Sequence, residues 1–231
     1  MSAEQNESTL SNEKGQTERP VDLAVLSEFP DVDTIENIEY VVKASRQAGE
    51  KYLAELAIKK LIEFRWIYND NTETWTHLPY ETQFTTIEIS QDHKVKSTGM
   101  LFKSSGSHPD CVDNELCDYH THPNVGKIEE KTATSIVEHQ LPSPADITSF
   151  ACLNKHKGYN KFGIISYYGT TRVEAKVKIE SDFSYKKLDV DVIKNWIDKY
   201  GIDIAVLESI NTYQIMLGKY FDFSHKKHTD L

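Results

Sequence analysis

The chain has 231 residues, 39% of them hydrophobic, and a formal net charge of −10 at pH 7 with a pI near 5.4. That length suits one well-buried domain with a tail, and the acidic balance argues against nucleic acid or an anionic membrane as a partner. No uninterrupted apolar run approaches the ~20 residues of a membrane span, and the first residues carry neither a basic nor an apolar signal region, so no membrane segment or cleavable signal is expected.

Residues 1–30 are rich in Glu, Ser, Asn, Gln and Thr and are expected to form a disordered, acidic tail, with the domain in residues 31–231. From Ile35 to Phe64, apolar residues including Ile38, Val41, Val42, Tyr52, Leu53, Leu56 and Leu61 recur mostly at steps of three or four. That spacing predicts amphipathic helix, which Gly49 can divide in two. Asn69-Asp70-Asn71 closes the region with turn chemistry. Segments 82–90 and 94–102 read as a hairpin around Gln91-Asp92-His93, 104–114 as a loop and 115–122 as a strand. A helix is expected from Asp146 to about Lys155, then a hairpin of 162–168 and 172–179 across Gly169, then a helix over 188–200. Segment 204–221 is open, with helix in its first half and strand near 213–223. No internal repeat is present. This order of elements predicts one α+β domain with helices flanking a sheet.

Cys111, Cys117 and Cys152 make an odd count without a CxxC pair, so free thiols and a reducing compartment are expected. A cytoplasmic location follows. Delivery into a host cell without a cleavable signal fits the same features.

The chemistry concentrates in Tyr119-His120-Thr121-His122-Pro123 and, further on, Pro142-Ser143-Pro144-Ala145-Asp146. Two histidines two apart on a strand project from the same face and can grip one metal ion. Asp146, in the first turn of the following helix, can add a third ligand. Three protein ligands leave a tetrahedral position open for water, the arrangement of a catalytic rather than a structural zinc. Ser-Pro-Ala-Asp is in its own right a good helix start, with Ser143 as N-cap, Pro144 at N1 and Asp146 at N3. Both readings can hold together. Asp118 shares the histidines' strand parity and is a candidate acceptor for a ligand ring N–H.

The pattern His120-x-His122-Pro123 with Ser143-x-x-Asp146 resembles the JAMM motif of the MPN/JAB metalloproteases. The resemblance implies an α/β/α sandwich around a curved mixed sheet, covering about residues 34–220. It also implies one Zn2+ per chain held by His120, His122 and Asp146. Active members cut isopeptide or peptide bonds, often at ubiquitin or ubiquitin-like tails, so a protein or peptide substrate is implied here. Two departures stand out. Residues 124–142 make a 19-residue gap where the family has about seven, an insertion that loops tolerate at small entropic cost. It is a candidate lid beside the metal, and residues 128–138 are a candidate short helix within it.

The second departure concerns the family's distant glutamate, the general base, which sits on the first strand after the long helix. Glu81 has the best location in this reading, although Thr82-Gln83-Phe84 after it lacks the glycine usual there, and Glu88 in the same strand is the rival. Glu115, five residues from His120, faces the other side of its strand. The Ser143 hydroxyl is the candidate donor to a developing oxyanion. Two other classes stay open: a catalytically silent MPN scaffold, and a different metallohydrolase such as a PHP-type phosphoesterase. The oligomeric state is not legible.

Overall fold

In a computed structural model the described residues are 25–36, 38–60, 63–84, 87–89, 95–97, 100–104, 108–123, 133–179 and 187–228, those from 80 to 104 by their backbone alone. They form a mixed α/β structure with five helices and an open, mixed sheet of eight strands. The chain runs β1 (Val25–Leu26), β2 (Val41–Lys43), α1 (Arg46–Lys59), β3 (Arg65–Asn69), β4 (Thr74–Leu78), β5 (Tyr80–Phe84), β6 (Ile87–Ile89), β7 (Val95–Ser97), β8 (Met100–Ser104) and β9 (Leu116–Thr121). It continues through α2 (Ala133–Glu138), α3 (Pro144–Lys157), β10 (Lys161–Ile165), β11 (Gly169–Ala175), α4 (Val190–Tyr200), α5 (Ile202–Leu217) and β12 (Phe221–Lys227). The large sheet has the order β1-β2-β4-β3-β9-β10-β11-β12, which puts β9 near its middle, antiparallel to β3 and parallel to β10.

Alternation along the central strands builds a core on each face. Trp66 and Tyr68 of β3, with Cys117 and Tyr119 of β9, pack against Tyr52, Leu53 and Leu56 of α1. Ile67, Leu116, Phe162 and Ile164 face the other way, into a core shared with Val137 of α2, Ile147 and Phe150 of α3, Ile193 of α4 and Val206 of α5.

The expected hairpin at 82–102 is present as two short ladders, β5 with β8 and β6 with β7, and the 162–179 hairpin as β10 and β11. The expectation of helix from 35 to 64 is corrected. Val41 and Val42 form a strand, and the helix begins only at Arg46, where the Ser45 side chain caps Ala48 N. Beyond it, β3 and β4 form a hairpin, because Trp66-Ile67-Tyr68 and Thr74-Trp75-Thr76 are aromatic and β-branched runs that suit a pleated surface. α5 is helical throughout, and the last strand begins at Phe221 rather than near 213. Within residues 25–30, β1 pairs parallel to β2, and Phe29 stacks on Tyr52 at 4.4 Å; residues 1–24 of the expected tail lie outside the described residues.

Gly49 does not divide the helix; it lets α1 approach the sheet. A Cβ there would lie 2.0 Å from the ring of Trp75, which is fully buried. Alanine is otherwise favoured over glycine in a helix by ~1 kcal/mol, so the sign of Gly49→Ala reports which effect wins. Overpacking is expected to win, lowering stability by about 1–3 kcal/mol in thermal unfolding. An unchanged or raised Tm would mean that the Trp75 ring gives way.

Candidate metal centre

The parity of β9 sorts its side chains. Cys117 and Tyr119 enter the α1 core, while Asp118 and His120 face the other side. His122 lies one residue past the strand but keeps its register, because its backbone N–H donates to Ile165 O at 2.8 Å. The third element is the start of α3. Ser143 Oγ accepts from Asp146 N (3.2 Å), and Asp146 Oδ2 accepts from Ser143 N (2.6 Å), a complete capping box with Pro144 in its first turn. The box fixes the Asp146 carboxylate in front of the two rings.

His120 Nε2 and His122 Nε2 are 3.2 Å apart, His120 Nε2 is 3.4 Å from Asp146 Oδ1, and His122 Nε2 is 3.5 Å from Asp146 Oδ2. The two carboxylate oxygens thus each face one ring, and one donor atom from each of the three residues lies within 4.8 Å of the others, a spacing at which the group could hold a single metal ion. Among the described residues it is the group of His, Cys, Asp and Glu side chains that can hold a metal ion. Cys111 and Cys117 are buried and Cys152 exposed, all free thiols, as the sequence leads one to expect.

The cluster lies in a cleft of about 500 Å³, whose lining includes the polar Glu63, Arg65 and Ser143 and the apolar Leu141, Phe150 and Phe162. The His120 ring lies parallel to Phe162, with centroids 6.3 Å apart. Glu63 is the residue that the sequence reading missed. It lies two residues before β3, and its neighbour Phe64 is bonded both ways to the end of β9: Phe64 N donates to Thr121 Oγ1 (2.8 Å) and Thr121 N to Phe64 O (2.9 Å). The signal that can find it is the aromatic strand after it, since β3 is the first strand after α1. The backbones of Glu81 and Glu88 lie in β5 and β6, in two-stranded ladders separate from the sheet that carries the histidines, opposite Lys103 and Lys96. Their side chains are outside the described residues.

Asp118 does not serve a ligand imidazole. Arg65 Nε and one terminal nitrogen bind its carboxylate at 2.8 and 2.5 Å, and His108 Nε2 stands 3.6 Å away. The acceptor for His122 is instead a carbonyl: His122 Nδ1 lies 3.1 Å from His139 O.

The electrostatics are those of charges kept by their partners. Burial works against a charged His120, but the Asp146 carboxylate and then Glu63 outweigh it and raise its pKa above 6.5. Burial pushes the Asp146 carboxyl up, yet His120 and His122 hold it well below the usual carboxylate range. Burial raises the Glu63 pKa, against the pull of His120 and His122. Burial likewise opposes the Asp118 charge, and Arg65 overcomes it.

Comparison of the chain with protein-family models, curated proteins and solved structures finds no match. Among the described residues no helix is long and apolar enough to cross a membrane.

The pKa directions set a pH dependence. In metal-free protein the raised His120 pKa stabilises the fold fully below its unfolded value, ~6.5, and that contribution is lost as pH rises through the folded value. The lowered Asp146 pKa stabilises above ~3.9 and is lost as pH falls through the folded value. Chelator-treated protein is therefore expected to lose thermal stability as pH rises above about 6.5. Zinc needs neutral rings, so the Tm increase on adding zinc should grow over the same window. A zinc effect on Tm that is flat with pH would contradict this.

Proposed function

We propose that this protein is a zinc-dependent hydrolase of peptide or isopeptide bonds, of the JAMM type that the His120-x-His122-Pro123 and Ser143-x-x-Asp146 motifs resemble. The observation that carries the reading is the cluster of His120, His122 and Asp146, with the two ring nitrogens 3.2 Å apart and each 3.4–3.5 Å from one oxygen of the carboxylate, in a cleft that Glu63 also lines. The helices against both faces of a mixed sheet support it, since the family's sandwich is built that way.

When bound, a zinc ion supplies Lewis acidity and brings the pKa of a coordinated water to about 7. The rest falls to the chain. Glu63 accepts the proton of the attacking water and returns it to the departing amine, and its burial-raised pKa suits a group that must both take and give. Ser143 accepts from Asp146 N through its hydroxyl oxygen and keeps its own hydrogen for the developing oxyanion. Leu141, Phe150 and Phe162 give the cleft part of its lining as apolar surface, which strengthens these interactions by excluding water. The substrate is an extended protein or peptide segment, ubiquitin-like tails included.

Purified protein, screened against ubiquitin-like fusions and extended peptides, is expected to cleave, to stop on chelation and to recover with zinc. Glu63→Gln should keep its zinc and lose ~10²–10⁴-fold in turnover, whereas Glu81→Gln should keep most activity. The reverse pair of results returns the role of base to Glu81. Cleavage that ignores a chelator overturns the reading.

A further inference from the structure

The insertion between His122 and Ser143 ends in a turn that is built into the core. Val137 and Leu141 are 0% and 2% exposed. Between them the chain leaves α2 and passes over β10 and β11 through His139 and Gln140. Gln140, itself 1% exposed, donates from Nε2 to Ser166 Oγ, just beyond β10. Its carbonyl accepts from Thr171 Oγ1 on β11 at 2.6 Å. The same hydroxyl is 3.0 Å from His225 Nδ1 on β12. Burial and neighbouring His228 hold the His225 pKa down to about 4, so its ring is neutral and its Nδ1–H can donate to Thr171 while Thr171 donates to Gln140. The His139 ring and backbone nitrogens both approach Ser135 O, at 2.6 and 3.1 Å.

What this turn presents to the metal centre is the carbonyl of His139, 3.1 Å from His122 Nδ1. A carbonyl can only accept. The neutral His122 ring must therefore carry its hydrogen on Nδ1, which leaves the Nε2 lone pair aimed at His120 and Asp146. We propose that Thr171 and Gln140 are positioning residues for the metal centre: they fix the His139 carbonyl, and the carbonyl fixes the tautomer and ring plane of His122. This rests on the metal-binding reading given above. Neither residue supplies a donor atom to the cluster, so each acts through the carbonyl alone. The insertion's second half is thus a support for the ligand set.

The test is zinc affinity, by competition with a chelator, together with the visible spectrum of the cobalt-loaded protein, which reports ligand geometry without any substrate. Thr171→Val keeps the side chain's shape and removes the hydroxyl; Thr171→Ser keeps the hydroxyl. Loss of a partner one shell out from a metal typically weakens binding 10–100-fold. Thr171→Val is expected to bind zinc that much more weakly and to shift the cobalt bands, with Thr171→Ser close to wild type in both. If Thr171→Val fails to fold, Ser166→Ala, which releases the Gln140 side chain, is expected to give the same loss. Folded Thr171→Val or Ser166→Ala with wild-type zinc affinity and an unchanged cobalt spectrum would overturn the proposal. A wild-type protein that binds no zinc would overturn the metal reading and this inference with it.

Discussion

Everything at the cleft depends on one arrangement: a buried imidazole, a half-buried one and one carboxylate brought within 3.5 Å of one another from two different elements. Left to themselves, two ring nitrogens 3.2 Å apart give at most one weak hydrogen bond and cost the desolvation of both. The carboxylate changes that balance, and a cation held between the three groups would change it further. The strand supplies the rings by parity, and the helix start supplies the carboxylate by its capping box. Each part is held in place: the His122 backbone N–H donates to Ile165 O, and the Asp146 carboxylate accepts from the Ser143 backbone N–H.

The opposite face of β9 explains why the strand is a firm platform. Tyr119 is fully buried, its ring packed so closely on Gly163 of β10 that a Cβ there would lie 2.3 Å from it. Its hydroxyl donates to Glu50 of α1 at 2.9 Å, and Arg172 of β11 donates to the same carboxylate oxygen. Buried polar groups are costly unless satisfied, and here one carboxylate draws α1, β9 and β11 together. The residues alternating with Tyr119, Asp118 and His120, inherit that rigidity on the cleft side.

The cluster of His120, His122 and Asp146 was legible in the sequence because each residue obeys a short-range rule. His120 and His122 follow the two-residue period of a strand, and Ser143 to Asp146 follow the one-turn spacing of a capping box. Glu63 was not legible for a traceable reason. Apolar spacing of three to four continues through Leu56 and Leu61 to Phe64, so a helix read through it hides the strand that begins at Arg65, and the search for a glutamate on the first strand moves on to Glu81. Tertiary pairing of β3 with β9 brings Glu63 to the cleft, and no local pattern contains it. The role of Asp118 failed in the same way: parity put it on the correct face, but its partner, Arg65, comes from a strand 53 residues away in sequence. The support for His122 is a backbone carbonyl, which any residue at 139 presents, so side-chain identity carries no trace of it.

The central claim is that His120, His122 and Asp146 together hold a metal ion. Elemental analysis of the purified protein, after dialysis against zinc, tests it most directly when paired with X-ray absorption at the zinc edge. The account predicts one zinc per chain, with two imidazole nitrogens and a carboxylate oxygen at ~2.0–2.2 Å, and loss of that zinc in a still-folded His122→Ala variant. A folded wild-type protein that takes up no zinc, or one whose zinc persists in His122→Ala, would contradict it.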